Sequence, residues 1–187
     1  LDTMSRQDAV IEADELTKRF GDVVAANGVT FSIDHGQVLG LLGPNGAGKT
    51  TVVKMLTTLL SIDSGSARIA GFDVARDPEP VRQVIGLAGQ AAAVDEKLTA
   101  RENLRLFGWL YRLDRSTLAR RVEEVVDRFG LADFADRPAS TYSGGERRRL
   151  DVAAALIADP PVVFLDEPTV GLDPRSRSAL WQTITDL

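Results

Sequence analysis

The sequence predicts an α/β fold in which a helical lobe is inserted between two strand-bearing halves. Three observations support this prediction. Strand-like apolar segments recur before residue 90, no strand pattern occurs from about residue 91 to residue 139, and a buried-strand pattern returns at 161–168. Because strands that alternate with helices pack into a sheet covered by helices, we expect one α/β core carrying this lobe.

The first half alternates strands with one helix. The predicted strands are 9–20, 29–33, 37–43, 66–74 and 84–90. The turn-prone sequence AANG separates the first two strands, and the run QVLGLLG at 37–43 is typical of a buried parallel strand. Residues 49–60 place their apolar side chains at helical spacing, which favours a helix over the strand that Thr and Val would suggest.

The second half is helical around one short strand. Leu118, Val122 and Phe129 recur at helical spacing, and Gly130 can end their helix. The strand at 161–168 follows, and 176–187 is predicted to be helical.

Composition excludes several classes of protein. The 187 residues contain no cysteine, which excludes disulfides and thiolate metal sites. The net charge of −5 argues against a general nucleic-acid binder. No apolar run approaches the roughly 18 residues that a membrane-spanning helix needs, and the N-terminal residues lack the pattern of a signal peptide.

The segment GPNGAGKTT at Gly43–Thr51 predicts a phosphate-binding loop, because it fits the pattern G-x-x-x-x-G-K-[ST]. Glycines allow backbone N–H groups to converge on phosphate oxygens, and the following helix directs its positive end at the same anion. Lys49 would reach the β- and γ-phosphates, and the Thr50 hydroxyl would bind Mg²⁺. The simpler alternative is a glycine turn that precedes a lysine by coincidence.

Two carboxylates follow the apolar strand in PVVFLDEPT. They lie at its carboxyl end, where open α/β sheets hold their ligands. We predict that Asp166 binds the metal and that Glu167 acts on the attacking water. The alternative is a surface Asp-Glu pair that starts a turn before Pro168.

A second glycine turn occurs in YSGGERRRL. Ser143 and Glu146 have the spacing of a capping box, which alone predicts a well-capped helix. Gly144 and Gly145 are poor choices for a first helical turn unless an anion must approach the backbone closely. A neighbouring subunit's nucleotide would be such an anion. The arginines at 147–149 are predicted to form a solvated face or an interface contact.

With these motifs in this order, the chain resembles the ATP-binding cassette (ABC) ATPases over essentially its whole length. GPNGAGKT is similar to Walker A, VVFLDE to Walker B and YSGGE to the signature usually written LSGGQ. Gln90 resembles the Q-loop glutamine, the segment at 171–173 resembles the D-loop, and Phe20 stands where the family has an aromatic residue stacked on adenine. The stretch at 93–104 is similar to ATPase subunits of daunorubicin-type drug exporters.

The resemblance implies a P-loop NTPase (RecA-like) fold. Residues 1–90 would form an N-terminal antiparallel β subdomain and the first part of the ATPase core, and 91–142 a helical lobe. Residues 143–187 would hold the signature helix, the Walker B strand and the D-loop of a truncated core. It implies ATP and Mg²⁺ as ligands. The expected catalytic residues are Glu167, Gln90 and Lys49, and the expected metal ligands are Thr50, Gln90 and Asp166. The expected nucleotide-binding residues are Phe20, Gly43, Pro44, Asn45, Gly46, Ala47, Gly48, Lys49, Thr50, Thr51, Ser143, Gly144, Gly145 and Asp173.

The resemblance also implies partners and a location. Two such subunits close head to tail, so that Ser143, Gly144 and Gly145 act on the partner's ATP. A separate transmembrane permease, and not nucleic acid, would be the other partner, at the inner face of the cell membrane. An exporter of a hydrophobic compound or drug is the first hypothesis. An ATP-binding dimerising module without turnover and a non-transport ABC ATPase are the alternatives.

The chain departs from the family in three ways. Tyr142 replaces the usual leucine, and Glu146 replaces the usual glutamine and adds a negative charge near the triphosphate. The histidine that the family carries beyond Walker B has no counterpart, because the one histidine, His35, lies in an early turn. We therefore expect the sequence to be C-terminally incomplete.

Overall fold

The computed structural model describes residues 9–89, 94–170 and 172–185. The chain divides into two compact units, Leu1–Ile85 and Gly86–Leu187, and each is described by itself. Nowhere in the described ranges is a helix both long enough and apolar enough to cross a membrane.

An antiparallel sheet forms the first unit. Its strands are β1 (Ala9–Phe20), β2 (Val23–Asp34), β3 (Ser64–Ile69) and β4 (Phe72–Asp73), in the order β2-β1-β3-β4. Phe20 pairs with Val23, which leaves Gly21 and Asp22 as a two-residue turn. Gly21 has a φ of 57°, a left-handed value that suits this kind of hairpin. The predicted N-terminal β structure is confirmed.

The turn predicted at AANG is wrong, because these residues lie inside β2. Leu16 pairs with Val29 and Lys18 with Ala26, so β2 carries one more residue than β1 between these pairs. Gly28 has a φ of 62°, and its N–H donates to Thr17 Oγ1 at 3.0 Å. The glycine therefore forms a β-bulge, which bends the long strand without ending it.

Two helices belong to the first unit, α1 (Lys49–Leu56) and α2 (Pro78–Val84). In α1, Val52, Met55 and Leu56 are buried, as the helical spacing of 49–60 predicted. The helix ends earlier than expected, and Thr58 has a φ of 63°. The N–H groups of Leu59 and Leu60 both donate to the Lys54 carbonyl, at 2.8 and 3.0 Å.

The strand predicted at 37–43 is wrong. These residues have no regular secondary structure, and the side chains of Val38 and Leu42 are 75% and 94% exposed. An apolar run forms a strand only where a neighbouring strand supplies hydrogen-bond partners. No strand within the described part of the chain pairs with 37–43, so the apolar pattern alone does not produce one.

The second unit is mainly helical. It contains α3 (Ala100–Leu110), α4 (Arg115–Arg128), α5 (Gly144–Ala155) and α6 (Pro174–Thr185). Strand β5 (Ile85–Ala88) begins at the last residue of the first unit and pairs with β6 (Val162–Leu165). The main apolar core lies between these elements and includes Leu104, Val122, Leu131, Leu150, Ile157 and Leu180. The helices predicted in 91–139 and 176–187 and the strand in 161–168 are confirmed.

Candidate functional site

The phosphate-loop segment folds as a tight turn that leads into α1. The Ala47 N–H donates to the Pro44 carbonyl at 3.2 Å, and Gly46 and Gly48 have φ values of 84° and 85°. Residues other than glycine rarely adopt such backbone angles. Residues 43–47 are exposed, so the turn lies at the surface of its unit.

Gly48 lies directly against β2. A Cβ atom at this position would stand 1.9 Å from the Ala25 carbonyl oxygen, which no side chain tolerates. This contact fixes the start of α1 on the strand. The glycine is therefore needed both for its dihedral angles and for close packing of helix on sheet.

The Lys49 ammonium group lies over the beginning of the loop. It donates to the carbonyl oxygens of Gly43 and Pro44, at 2.8 and 2.9 Å. These bonds hold a positive charge where the loop exposes its N–H groups. Thr50 and Thr51 follow in the first turn of α1 and are half-buried. The loop thus presents a cation, backbone donors and a helix N-terminus together, which suits a polyphosphate.

Phe20 lies at the end of the hairpin that supports this loop. Its ring is 49% exposed, and the ammonium group of the buried Lys18 lies 5.8 Å from the ring centroid. Lys18 is held by Asp63 Oδ1 at 2.7 Å and Ser61 Oγ at 3.1 Å. Phe20 pairs with Val23, which lies about 7 Å along β2 from Ala25, the residue that touches Gly48. The fold therefore brings the predicted adenine-stacking ring and the phosphate loop to the same end of the hairpin.

Asp166 and Glu167 directly follow β6 in the second unit. The Asp166 N–H donates to the Ala88 carbonyl at 2.9 Å and extends the pairing with β5. Glu167 is exposed and has a φ of 52°, an uncommon left-handed value for a side chain of this size. The Val170 N–H donates to the Glu167 carbonyl at 3.2 Å and closes the turn. Backbone strain of this kind is concentrated at functional sites.

Arg148 is a residue of this site that the sequence reading missed. Its guanidinium donates to the carbonyl oxygens of Gly89, Asp166, Glu167 and Pro168. Arg147 pairs with Glu96, and Arg149 donates to the Gly130 carbonyl. All three arginines are half-buried and have a partner within their own unit, and the solvated face or interface contact at 147–149 stays a prediction. Three consecutive arginines in the sequence indicate only a local positive charge. They do not indicate which distant groups these side chains bind.

The second glycine turn forms the N-terminus of α5, and its predicted capping box is confirmed. The Glu146 N–H donates to Ser143 Oγ at 3.2 Å, and Glu146 Oε2 accepts from the Ser143 N–H at 2.7 Å. The box uses the N–H groups of Ser143 and Glu146. Those of Gly144 and Gly145 lie between them in the first turn, where a helix supplies no acceptor of its own.

Gly144 is not required by the packing of its own unit. A Cβ atom there would meet nothing within 4 Å, and its backbone has none of the positive φ values that favour glycine. The residue is exposed. The packing of its own unit therefore does not account for a glycine at this position.

The structure explains both departures in the signature segment. The Tyr142 ring is buried, and its hydroxyl donates to the Phe134 carbonyl at 2.8 Å and accepts from the Ala100 N–H at 3.2 Å. Glu146 pairs with Arg137 at 3.1 Å. The Ser143 N–H chiefly, with the charge of Arg137, holds the pKa of Glu146 below its ordinary value. The added negative charge is therefore paired within the chain.

The structure says little about three of the predicted positions. Gln90 and Gly171 lie outside the described residues. Asp173 directly precedes α6, is exposed, and its carbonyl accepts from the Arg177 N–H at 2.9 Å. Asp173 thus stands at the start of a helix, and its predicted part in nucleotide binding stays a prediction.

The predicted metal ligands, Thr50 and Asp166, are hard oxygen donors of the kind that Mg²⁺ accepts. Considering only residues 9–89, 94–170 and 172–185, no three His, Cys, Asp or Glu side chains cluster as a metal site. Mg²⁺ is usually held by one or two protein oxygens together with substrate phosphates. Each of these two oxygens, taken singly, is of a kind that an ion brought by a nucleotide accepts.

Comparison with known proteins gives a consistent result. The model of the ABC transporter family matches residues 26–170. A solved structure described as the ATP binding subunit of an ABC transporter superposes with a TM-score of 0.84 at 29% identity, over 95% of this chain and 74% of that one. The predicted fold class is thereby confirmed.

Two relatives have names that specify a role. The daunorubicin resistance ATP-binding protein DrrA2 of Streptomyces coeruleorubidus is 51% identical over 177 residues, which are 95% of this chain and 55% of that protein. The doxorubicin resistance ATP-binding protein DrrA of Mycobacterium tuberculosis is 47% identical over 183 residues, 97% of this chain and 55% of that protein. The chain spans about half the length of these curated relatives.

Proposed function

Because the chain belongs to the ABC transporter family, we propose that it is the ATP-binding and ATP-hydrolysing subunit of a membrane exporter. The relatives named for daunorubicin and doxorubicin resistance point to efflux of a hydrophobic compound or drug. The resemblance found in the sequence thus agrees with the similarity to these relatives over the part that the chain covers.

Nucleotide binding is assigned to the loop and the hairpin of the first unit. The backbone donors of Gly43–Gly48 and the Lys49 ammonium would bind the phosphates, with Thr51 in the first turn beside them. The exposed ring of Phe20 would stack on the adenine. The ammonium of Lys18 beside this ring would limit its motion and polarise it.

Hydrolysis is assigned to the turn after β6. Glu167 would orient a water molecule and accept its proton as the water oxygen bonds to the γ-phosphorus and the bond to the bridging β–γ oxygen breaks. Mg²⁺, held by Thr50 and Asp166 with Gln90, would supply charge neutralisation at the phosphates. The products are ADP and phosphate.

The single observation that carries the proposal is the unexplained glycine at the start of α5. A phosphate loop alone is compatible with many nucleotide-binding proteins. Gly144 opens a capped helix, yet its own unit does not need a glycine there. We infer that Ser143, Gly144 and Gly145 receive the γ-phosphate of ATP bound to a second subunit, in a head-to-tail dimer with Asp173 near the same interface.

The other partner is assigned by family. A separate transmembrane permease would dock this subunit at the inner face of the membrane, and conformational change on ATP binding and hydrolysis would drive export. We do not propose nucleic acid as a partner. If the chain powers such an exporter, deleting its gene should lower the host's resistance to hydrophobic antibiotics. A gene copy carrying Glu167→Gln should not restore that resistance.

ATP turnover by the purified protein tests the enzymatic part. We expect Glu167→Gln to lower kcat by about 100-fold or more, because the general base is lost, while the Kd for ATP changes by less than about threefold. Glu79→Gln is the matched control, because it removes the same charge from a side chain that is 82% exposed on α2. A wild-type protein that binds ATP without hydrolysing it would favour the alternative of a dimerising module.

Gly144→Ala tests the second glycine turn. The new methyl group meets no atom of its own unit, so stability should stay within about 1 kcal/mol of the wild type. The methyl group would obstruct the partner's phosphate, and turnover should fall by at least about tenfold. Full activity of this variant would exclude close approach of an anion to Gly144.

A further inference from the structure

The side chain of Arg148 joins three segments of the second unit. It extends from α5 and donates from Nη1 to the Gly89 carbonyl at 2.6 Å, just beyond β5. Nη2 donates to the carbonyls of Asp166 and Glu167, at 2.9 and 2.8 Å, and Nε donates to that of Pro168 at 2.9 Å. A single guanidinium therefore binds three consecutive carbonyl groups of the turn that carries Glu167.

This arrangement accounts for the unusual backbone of Glu167. Three consecutive carbonyl oxygens converge on one cation only if the chain turns sharply between them. The φ of 52° at Glu167 is part of that turn. A strained dihedral angle persists only where the surroundings favour it, and the bonds to Arg148 favour it here. The same dihedral angle fixes the direction in which the Glu167 side chain leaves the backbone.

We propose that Arg148 is a positioning residue for ATP hydrolysis. It holds the turn Asp166–Pro168 in the conformation that aims the Glu167 carboxylate at the attacking water. This inference rests on the proposed function, because it assigns Arg148 a part in that reaction. Arg148 itself contacts backbone carbonyls and is not assigned any contact with nucleotide.

The chemistry of the side chain matters as much as its charge. A guanidinium presents five N–H donors in one plane and can reach several carbonyls in fixed directions. A lysine ammonium has three donors and no such fork, so it can satisfy only part of this set. A glutamine lacks the charge and can supply at most two N–H donors.

The neighbouring Arg147 provides a matched control on the same helix. Arg147 pairs with Glu96 and donates to the Ala139 carbonyl at 3.4 Å. Its partners are in the helical part of the unit and not in the turn after β6. Arg147→Gln therefore removes the same charge one residue away without disturbing the bonds to Asp166–Pro168.

Steady-state kinetics and ATP binding of the purified protein form the first test. We expect Arg148→Gln to lower kcat by about 30-fold with less than a threefold change in the Kd for ATP, and Arg148→Lys to recover part of the loss. Arg147→Gln should keep at least about half of the wild-type kcat. Unchanged kcat in Arg148→Gln, or equal losses from both glutamine variants, would overturn the proposal.

A double variant shows whether Arg148 acts through Glu167. In single-turnover measurements on Glu167→Gln, adding Arg148→Gln should change the residual rate by less than about twofold, because the carboxylate that it positions is already absent. A further loss as large as in the wild-type background would mean that Arg148 acts independently of Glu167, against the proposal.

Amide hydrogen exchange gives a readout that needs no turnover. The Val170 N–H is bonded to the Glu167 carbonyl at 3.2 Å, so a loosened turn should exchange faster in Arg148→Gln and at the wild-type rate in Arg147→Gln. Unchanged exchange over 166–170 in Arg148→Gln would overturn the positioning role. If the wild-type protein shows no turnover, the proposed function fails, and this measurement still decides whether Arg148 holds the turn.

Discussion

Gly48 directly precedes α1, and Gly144 is the first residue of α5. Only at Gly48 does the surrounding structure require a glycine. Gly48 has a φ of 85° and lies against the Ala25 carbonyl, whereas a methyl group at Gly144 would meet no atom within 4 Å. The first glycine is thus explained by folding, with room for phosphate as a consequence. The second is not required by the packing of its own unit, and for this reason we propose that a ligand from outside approaches it.

This difference predicts a large loss of stability from alanine at Gly48 and almost none from alanine at Gly144. Gly48→Ala should lower the free energy of unfolding by about 2–5 kcal/mol, because the left-handed backbone and the contact with Ala25 both oppose a Cβ atom. Nucleotide binding should be lost with it. Urea unfolding and fluorescence titration with an ATP analogue measure the two effects. Equal stability of Gly48→Ala and Gly144→Ala would contradict the explanation.

Tyr142 shows at the same scale how a change in the signature segment is accommodated. Its buried hydroxyl satisfies both the Ala100 N–H and the Phe134 carbonyl. Tyr142→Phe removes the partner of the Ala100 N–H, whereas the Phe134 carbonyl keeps its bond from the Arg137 N–H at 3.1 Å. We expect the change to cost about 1–3 kcal/mol of stability. Urea denaturation checks this value, and a loss below about 0.5 kcal/mol would mean that other groups replace the hydroxyl.

At the scale of elements, the sequence predicted structure well where the two residues that form an interaction lie close together in the chain. Ser143 and Glu146 are three residues apart, so their capping box could be predicted from the sequence and is observed. The strand predicted at 37–43 failed because a strand depends on a neighbour that the sequence pattern does not specify. The contacts of Arg148 could not be predicted either, because its acceptors in 166–168 lie 18 or more residues away.

The capping box of α5 also predicts a pH dependence. The pKa of Glu146 is lowered in the folded chain, so its contribution to stability is complete above the ordinary pKa of a glutamate. That contribution is lost as the pH falls through the lowered folded value. Glu146→Gln keeps a capping group that does not titrate.

We therefore expect the wild type to lose more stability than Glu146→Gln when the pH is lowered from 6 to about 3. Thermal melts of both proteins at matched ionic strength make the comparison. Because other carboxylates titrate equally in both proteins, the difference between them isolates Glu146. Parallel curves would show that the capping carboxylate does not contribute through its charge.

At the scale of the whole molecule, the phosphate loop belongs to the first unit and the signature turn to the second. Sequence motifs were sufficient to predict both turns and the family, because each motif is short and contiguous. Which subunit supplies which turn to a given ATP is a property of an assembly. A sequence motif does not contain that information, and it has to be measured between chains.

The absence of cysteine from the sequence allows that measurement without background reaction. Asn45→Cys labels the exposed phosphate loop, and Ser140→Cys labels an exposed position three residues before Ser143. Each change is made in a separate Glu167→Gln protein, so that bound ATP persists. The two proteins are then mixed and treated with a short bifunctional maleimide, because the intervening triphosphate would keep the pair beyond the roughly 7 Å Cα separation that a disulfide allows.

In a head-to-tail dimer, the mixture should give a covalent dimer when ATP is present and much less without it. Each single-cysteine protein alone should give little, because two-fold symmetry places Asn45 beside the partner's signature turn and away from the partner's Asn45. Adding Gly144→Asp to the Ser140→Cys protein should suppress the ATP-dependent product, since a carboxylate would repel the triphosphate. Cross-linking that is equally strong without ATP, or equally strong for Asn45→Cys alone, would exclude the shared ATP sites from which the function of the second glycine turn is argued.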